Sequence, residues 1–262
     1  MDYSRLLDNK RVFISSGARG IGREIALLFA KQGATVCVGG KNLPKLAETE
    51  KELKTFSPES FSVACNLSSQ EEITNAVDTV LKRWGGIDIL VNTVGINHHV
   101  VAHEYSEEEL SLFLDTNYKS ALRLMKAFVP GMLENHQGNI VNISSIHSVM
   151  SMPGYMIYAG TKAALNASSR VMALDYARQG IRVNTICPGL ILSDVLQDEI
   201  NSYPAGEARN EFMEMLDRMQ PLSPGHMIDI ANAALFLASD MSAYMTGQTI
   251  MVDGGASIKA HP

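Results

Sequence analysis

Short apolar runs alternate with longer helical patterns along the whole of this chain, and that alternation leaves few folds open. The runs lie at residues 11–15, 34–39, 61–65, 87–92, 139–144, 181–187 and 249–252. Several are unbroken stretches of Val and Ile, the pattern of parallel strands covered on both faces. Between them, Ser69 followed by Glu72 and Ser106 followed by Glu109 have the spacing of capping boxes that open helices. A β–α repeat of this kind predicts an α/β fold, a doubly wound Rossmann-type parallel sheet of about seven strands with right-handed crossovers and helices on both faces. Such sheets bind ligands at the carboxyl ends of their strands, and every motif below falls just after one of these runs.

At 262 residues the chain fits one domain of this type. The only irregular stretch, residues 190–227, carries Pro204, Gly206, Pro221, Pro224 and Gly225 around a Met-rich helical piece, and reads as a substrate lid rather than a second domain. A net charge of -6 without a basic cluster argues against a nucleic-acid partner. No apolar run is long enough to span a bilayer, and residues 1–11 are polar and lead straight into a strand, unlike a signal peptide. Cys37, Cys65 and Cys187 lie in strand-like runs without metal-ligand spacing, which points to reduced thiols in a cytoplasmic protein and no structural metal.

The first run leads into Ser15-Ser16-Gly17-Ala18-Arg19-Gly20-Ile21-Gly22, which opens an amphipathic helix. Glycines there let the backbone turn sharply and approach a pyrophosphate, whose charge meets the helix N-terminus. The second run ends in Gly39-Gly40-Lys41-Asn42, where sites that prefer NAD place an acid for the ribose 2′-hydroxyl. With no acid, and with Lys41 and Arg19 offering two cations to a 2′-phosphate, NADP(H) is the expected cofactor and NAD(H) the weaker alternative.

The fifth run ends at Ser144-Ser145, and Tyr158-Ala159-Gly160-Thr161-Lys162 begins a long helix with Tyr158 and Lys162 on one face. Reducing a ketone takes a hydride on carbon and a proton on oxygen. A free tyrosine titrates near about 10, too high to exchange protons easily at neutral pH. Positive charge beside it, from Lys162 and an oxidised nicotinamide, favours the phenolate. Tyr158 is thus the expected general acid and base, with Ser145 stabilising charge on the carbonyl oxygen.

Together these motifs resemble the short-chain dehydrogenase/reductase family, along with Asn92–Gly95, Asn117, Pro188-Gly189, Tyr244–Gln248 and Val252–Gly255. The resemblance covers essentially the whole chain. It implies that Lys162 also binds the nicotinamide ribose and that Asn117 positions a relay water. Asn66, Leu67, Asn92 and Gly95 would then contact the adenosine, and Pro188, Gly189, Ile191 and Ser193 the nicotinamide. It also implies a homotetramer or dimer built through long helices at 106–135 and 158–179.

The chain departs from the family pattern in four places, one of them a pair of residues. Ser16 stands for the first glycine of the turn, and Thr93-Val94 for Asn-Ala, with Val94 bringing bulk toward the adenosine ribose. Asn66 stands for an acid that meets the adenine, and Gly160 for alanine or serine.

For substrate, His98, His147 and Tyr155 are the chosen residues, with Asn97, His99, Met150, Met152, Met213, Met215 and Met219 as further candidates. Methionines at helical spacing are more often core, and paired loop histidines more often solvated. If they do line the site, a bulky, partly apolar hydroxysteroid-like alcohol or ketone fits. A sugar or polyol, or a 3-oxoacyl thioester, is the alternative. Two rival classes are a nucleotide-binding regulator without turnover and a methyltransferase. The first has no need of Ser145, Tyr158 and Lys162 together, and the second normally carries an acid where Gly40-Lys41 stands.

Overall fold

The computed structural model describes residues 5–259; residues 1–4, part of the polar stretch read above as no signal peptide, lie outside the described residues. The chain runs β1 (Arg11–Ile14), α1 (Gly20–Lys31), β2 (Thr35–Gly40), α2 (Leu43–Phe56), β3 (Phe61–Ala64), α3 (Gln70–Trp84) and β4 (Ile89–Asn92). It continues through α4 (Glu107–Phe113), a π-helical turn (Leu114–Lys119), α5 (Ser120–Glu134), β5 (Gly138–Ile143), α6 (Met156–Tyr176) and β6 (Ile181–Pro188). The last part holds β7 (Ile191–Leu192), α7 (Asp194–Ser202), α8 (Glu207–Arg218), β8 (Gly225–His226), α9 (Met227–Ala238) and β9 (Thr249–Val252).

Seven of these strands form one parallel sheet, as the alternation predicts, and their order is β3-β2-β1-β4-β5-β6-β9. Every residue of β4 and β5 is buried, because helices cover both faces. One apolar cluster joins Val12 and Val36 to Ile25 of α1, Leu46 of α2 and Ile230 of α9. The other joins Phe13 and Leu90 to Ile73 of α3, Leu124 of α5 and Leu165 of α6. Cys37, Cys65 and Cys187 are buried and unpaired, and burial pushes the Cys65 thiol up to about 12.

The chain winds outward from β1 through β2 to β3, then returns to place β4 on the other side of β1. That reversal opens a crevice at the carboxyl ends of β1 and β4, the place where sheets of this kind hold ligands.

Strand ends agree with the sequence to within two residues. Two helix starts differ. At Ser106 both halves of the capping box form. At Ser69 only the serine half does, because the Glu72 carboxylate accepts instead from the Asn66 N–H at 2.8 Å. Helix α6 begins at Met156, two residues before Tyr158. Residues 190–227 are more ordered than their proline content suggests, with α7 and α8 held on a two-stranded β7–β8 ladder.

Candidate active site

An open cavity of about 490 Å³ lies over the carboxyl ends of the strands. Ser145, Tyr158 and Lys162, drawn from the end of β5 and the first turns of α6, all line it. Four residues apart on one helix, Tyr158 and Lys162 present neighbouring side chains, with Lys162 Nζ 5.9 Å from the centre of the Tyr158 ring. Lys162 is buried and donates to the Ile143 carbonyl at 3.0 Å and the Val94 carbonyl at 3.4 Å. Those two bonds tie it to the ends of β4 and β5.

Electrostatics differ from the sequence expectation in one respect. Burial pushes the Tyr158 phenol up, and a hydrogen bond with Ser145 opposes this only in part. Burial also pulls Lys162 down to about 8. The polypeptide alone therefore holds Tyr158 protonated, because desolvation outweighs the hydrogen bond from Ser145.

Asn117 sits in the π-helical turn, a local widening that aims its amide inward. Its Oδ1 accepts from the Ile96 N–H at 2.8 Å, and its Nδ2 donates to the Ile96 carbonyl at 3.0 Å and to Thr161 Oγ1 at 3.3 Å. It thereby clamps the segment after β4 to the catalytic helix.

The glycine-rich turn is packed so closely that glycine is required at two points. A Cβ on Gly22 would lie 1.8 Å from the Ser16 carbonyl oxygen, and one on Gly17 2.4 Å from Val38 Cγ1. Gly20 has φ +61° and open space beside it. No side chain caps α1 at Arg19, and no acid stands in its first turn. Uncapped amides at a helix N-terminus beside a cavity fit a phosphate group, so these residues suit a dinucleotide.

The other residues predicted to bind cofactor do not all face the cavity. Ile21, Gly95, Pro188, Gly189, Ile191 and Ser193 line the cavity. The Ser193 hydroxyl also caps α7, accepting from the Leu196 N–H at 3.3 Å. Arg19 and Lys41 are exposed, and neither makes an ion pair with a described residue. Three side chains turn away from the cavity. Asn92 is buried and donates to Asn142 Oδ1 at 2.8 Å, Leu67 packs in the core, and Ser15 Oγ accepts from the Thr93 N–H at 3.0 Å. The Asn66 carbonyl, expected to be available to adenine, accepts from Ser68 Oγ at 3.0 Å.

The departures from the family pattern explain one another. Thr93 Oγ1 accepts from the Ser16 N–H at 3.2 Å and donates to the Ser16 carbonyl at 3.1 Å, so two unusual residues bond to each other between the ends of β1 and β4. Val94 packs against the core and does not line the cavity. Gly160 is exposed with nothing within 4 Å of where a Cβ would stand, so its only cost is in helix propensity.

On the substrate side, His147 and Tyr155 line the cavity, and His98 does not. His98 Nε2 instead hydrogen-bonds with Glu109 Oε1 at 3.1 Å while its ring packs on Phe113, a surface contact that removes it from the substrate set. His99 also lies outside, over Gly154. Met150, Met152, Met215 and Met219 line the cavity with Asn97, whereas Met213 does not. Sequence reasoning missed Thr93, Phe212 and Gln220. Gln220 is buried, and its Oε1 accepts from the Leu190 N–H at 3.1 Å. Nothing in the sequence around Met219-Gln220-Pro221 marks that glutamine as buried.

Comparison with known proteins agrees with this geometry. Residues 17–257 match the short-chain dehydrogenase model described as "Enoyl-(Acyl carrier protein) reductase". The chain belongs to the short-chain dehydrogenase/reductase family. It is 34% identical over 251 residues to a 3-oxoacyl-[acyl-carrier-protein] reductase of Staphylococcus epidermidis, covering 94% of this chain and 98% of that one. A reductase of the same name from Chlamydia muridarum is 36% identical over 252 residues, covering 95% and 98%. Among solved structures, L-sorbose reductase from Gluconobacter frateurii, complexed with NADPH and L-sorbose, superimposes with a TM-score of 0.92 at 30% identity over 98% of this chain and 99% of that one. The chain is thus an oxidoreductase of this family, and the regulatory and methyltransferase readings fall away. Among the described residues, no helix is long and apolar enough to cross a membrane.

Proposed function

We propose that this chain reduces a ketone to a secondary alcohol with NADPH, and catalyses the reverse with NADP, using Tyr158 as general acid and base. The observation that carries this reading is the convergence of Ser145, Tyr158 and Lys162 on one cavity beside the turn at Gly17–Gly22. The cofactor, when bound, supplies or takes the hydride. Pyrophosphate would rest on the uncapped start of α1, and Arg19 and Lys41 would meet a 2′-phosphate. NAD(H) would bind more weakly for want of an acid after β2.

Ser145 would hold the carbonyl oxygen through its hydroxyl. Tyr158, kept protonated by burial, would donate its proton to that oxygen as negative charge develops there. Lys162, fixed by the carbonyls of Ile143 and Val94, would hold ribose hydroxyls and offer its positive charge to the resulting phenolate. Asn117 would hold a relay water through the remaining lone pair of its Oδ1.

The names of the relatives favour a ketose or polyol, or a 3-oxoacyl thioester, over a hydroxysteroid as substrate. Residues 190–227 would act as a lid of the single domain 1–262, since Leu196, Phe212 and Met215 face the cavity. We also infer a cytoplasmic homo-oligomer, a tetramer or dimer, paired through helices 106–135 and 158–179. Val171 and Leu174 of α6 are 57% and 83% exposed, which leaves an apolar face for a second copy.

The test is reduced-nicotinamide absorbance with a panel of ketoses, polyols and 3-oxoacyl thioesters, using Tyr158→Phe as control. Turnover should fall by about 10²–10⁴-fold in the variant while NADPH affinity holds. A variant that turns over normally removes Tyr158 from the mechanism.

A further inference from the structure

Beside the reacting residues stands an imidazole whose two nitrogens have different surroundings. His147 follows Ser145 by two residues, and its backbone N–H donates to Ser145 Oγ at 3.2 Å. Its ring packs against Tyr155 at 4.8 Å and, edge to face, against Tyr158 at 5.7 Å between centroids. The side chain therefore flanks the position of the reacting oxygen, not the outer rim of the cavity. Nδ1 is fully buried with no partner among the described residues, whereas His147 as a whole is half-buried and lines the cavity. A neutral imidazole carries one proton, on one nitrogen or the other. Placing it on Nδ1 would bury an unpaired N–H, a costlier arrangement than burying an unpaired lone pair. The proton therefore belongs on Nε2, the nitrogen left to the cavity. Burial also holds the imidazole below its ordinary pKa, so it stays neutral at physiological pH.

We propose that His147 is a specificity residue that donates an Nε2–H hydrogen bond to a second substrate oxygen, next to the reacting carbonyl, so that the site selects α-hydroxyketones and the matching vicinal diols. Ser145 and Tyr158 already serve the reacting oxygen, so a third donor beside them has work only when the neighbouring carbon also carries oxygen. This rests on the oxidoreductase reading above and narrows its substrate. A 3-oxoacyl thioester, whose second oxygen is one carbon further away, fits less well.

Two measurements test it. The first is NADPH-dependent reduction of acetoin against 2-butanone, which differ by one hydroxyl, in the wild type, His147→Phe and His147→Gln. Phenylalanine keeps the ring contacts without the donor, and glutamine restores a donor. The acetoin preference in kcat/KM should fall about tenfold in His147→Phe and return in part in His147→Gln. An unchanged preference, with both rates falling together, makes His147 a packing residue and overturns the proposal. The second is nitrogen NMR of histidine-labelled protein, with the His147 signals assigned by their loss in His147→Phe. The proton should sit on Nε2, and that signal should move on adding acetoin but not 2-butanone. A proton on Nδ1 overturns the proposal whatever the kinetics show. Failure of the wild type to reduce either ketone, or any member of the wider panel, would instead remove the oxidoreductase reading and this inference with it.

Discussion

The two walls of the crevice are built on different principles. On the wall from β1, β2 and β4, position is set by close packing onto the main chain: Gly17 against the Val38 side chain, Gly22 against the Ser16 carbonyl, and the Thr93 hydroxyl bonded to both backbone polar groups of Ser16. On the opposite wall, from the end of β5 and residues 190–227, the lining is Met150, Met152, Met215 and Met219 with Leu196 and Phe212. Met150, Met152 and Met215 are 36%, 37% and 49% exposed. A ligand of fixed shape, such as a dinucleotide, suits a wall with no slack. Flexible thioether side chains suit a partner whose shape varies. Substitutions on the first wall should therefore act through folding and cofactor binding, and those on the second through substrate alone.

The largest effect expected on the rigid wall is that of Gly22→Ala. Its Cβ would meet the Ser16 carbonyl at 1.8 Å, and a backbone obstacle cannot rotate aside. Thermal unfolding should show a loss of about 3 kcal/mol, at the upper end for overpacking, and NADPH titration should show little binding. An unchanged melting temperature would mean that the turn has slack and that the contrast between the walls fails.

Next comes Lys162, where the walls meet. Its ammonium is buried and held near 8, against 10.5 for the exposed side chain. Between those values the unfolded chain binds a proton that the folded chain does not, so stability contributed by this group rises with pH. It is fully present above about 10.5 and is lost as pH falls through about 8. Relative to Lys162→Met, the cofactor-free wild type should gain about 3 kcal/mol between pH 7 and pH 10.5, at about 1.36 kcal/mol for each pH unit between the two pKa values. Denaturant unfolding of both proteins across that range checks it, and a constant difference would show that the ammonium is well solvated in the fold.

Thr93→Val should be milder. It keeps the shape of the side chain and leaves the Ser16 N–H and carbonyl without their partner, at a cost of about 1–2 kcal/mol. Thr93→Ser should recover most of that loss. If valine were neutral, water would be serving Ser16 equally well.

How far the sequence could be read follows the same division. The strands were legible because a parallel sheet covered on both faces demands unbroken apolar runs such as Ile89–Asn92. Ser145, Tyr158 and Lys162 were legible because their chemistry fixes both residue type and spacing. What sequence could not show is direction. Asn92 and Ser15 stand in the expected motifs, yet each turns its side chain to a neighbouring strand or loop. The Ser16–Thr93 bond joins residues 77 apart, and neither position announces the other. The π-helical turn that aims Asn117 depends on one extra residue per turn, which leaves no mark in hydrophobic periodicity. His98 and His147 looked alike as candidates for the substrate, and only the fold separates a surface hydrogen bond with Glu109 from a ring packed against Tyr158.

The smallest effect, and the one that bears most directly on the adaptable wall, is that of Met215→Leu. Met215 is 49% exposed while lining the cavity, so an apolar replacement of similar volume removes little buried surface. Stability should change by less than about 0.5 kcal/mol, and NADPH affinity should not move. Branching at Cγ does, however, take away the long flexible arm that lets methionine follow a substrate's outline. KM for the ketone should therefore rise about two- to fivefold with kcat nearly constant, the signature of lost binding shared by ground and transition states. Were NADPH affinity to fall instead, α8 would be bracing the cofactor wall, and the two sides of the crevice would be one structure rather than two.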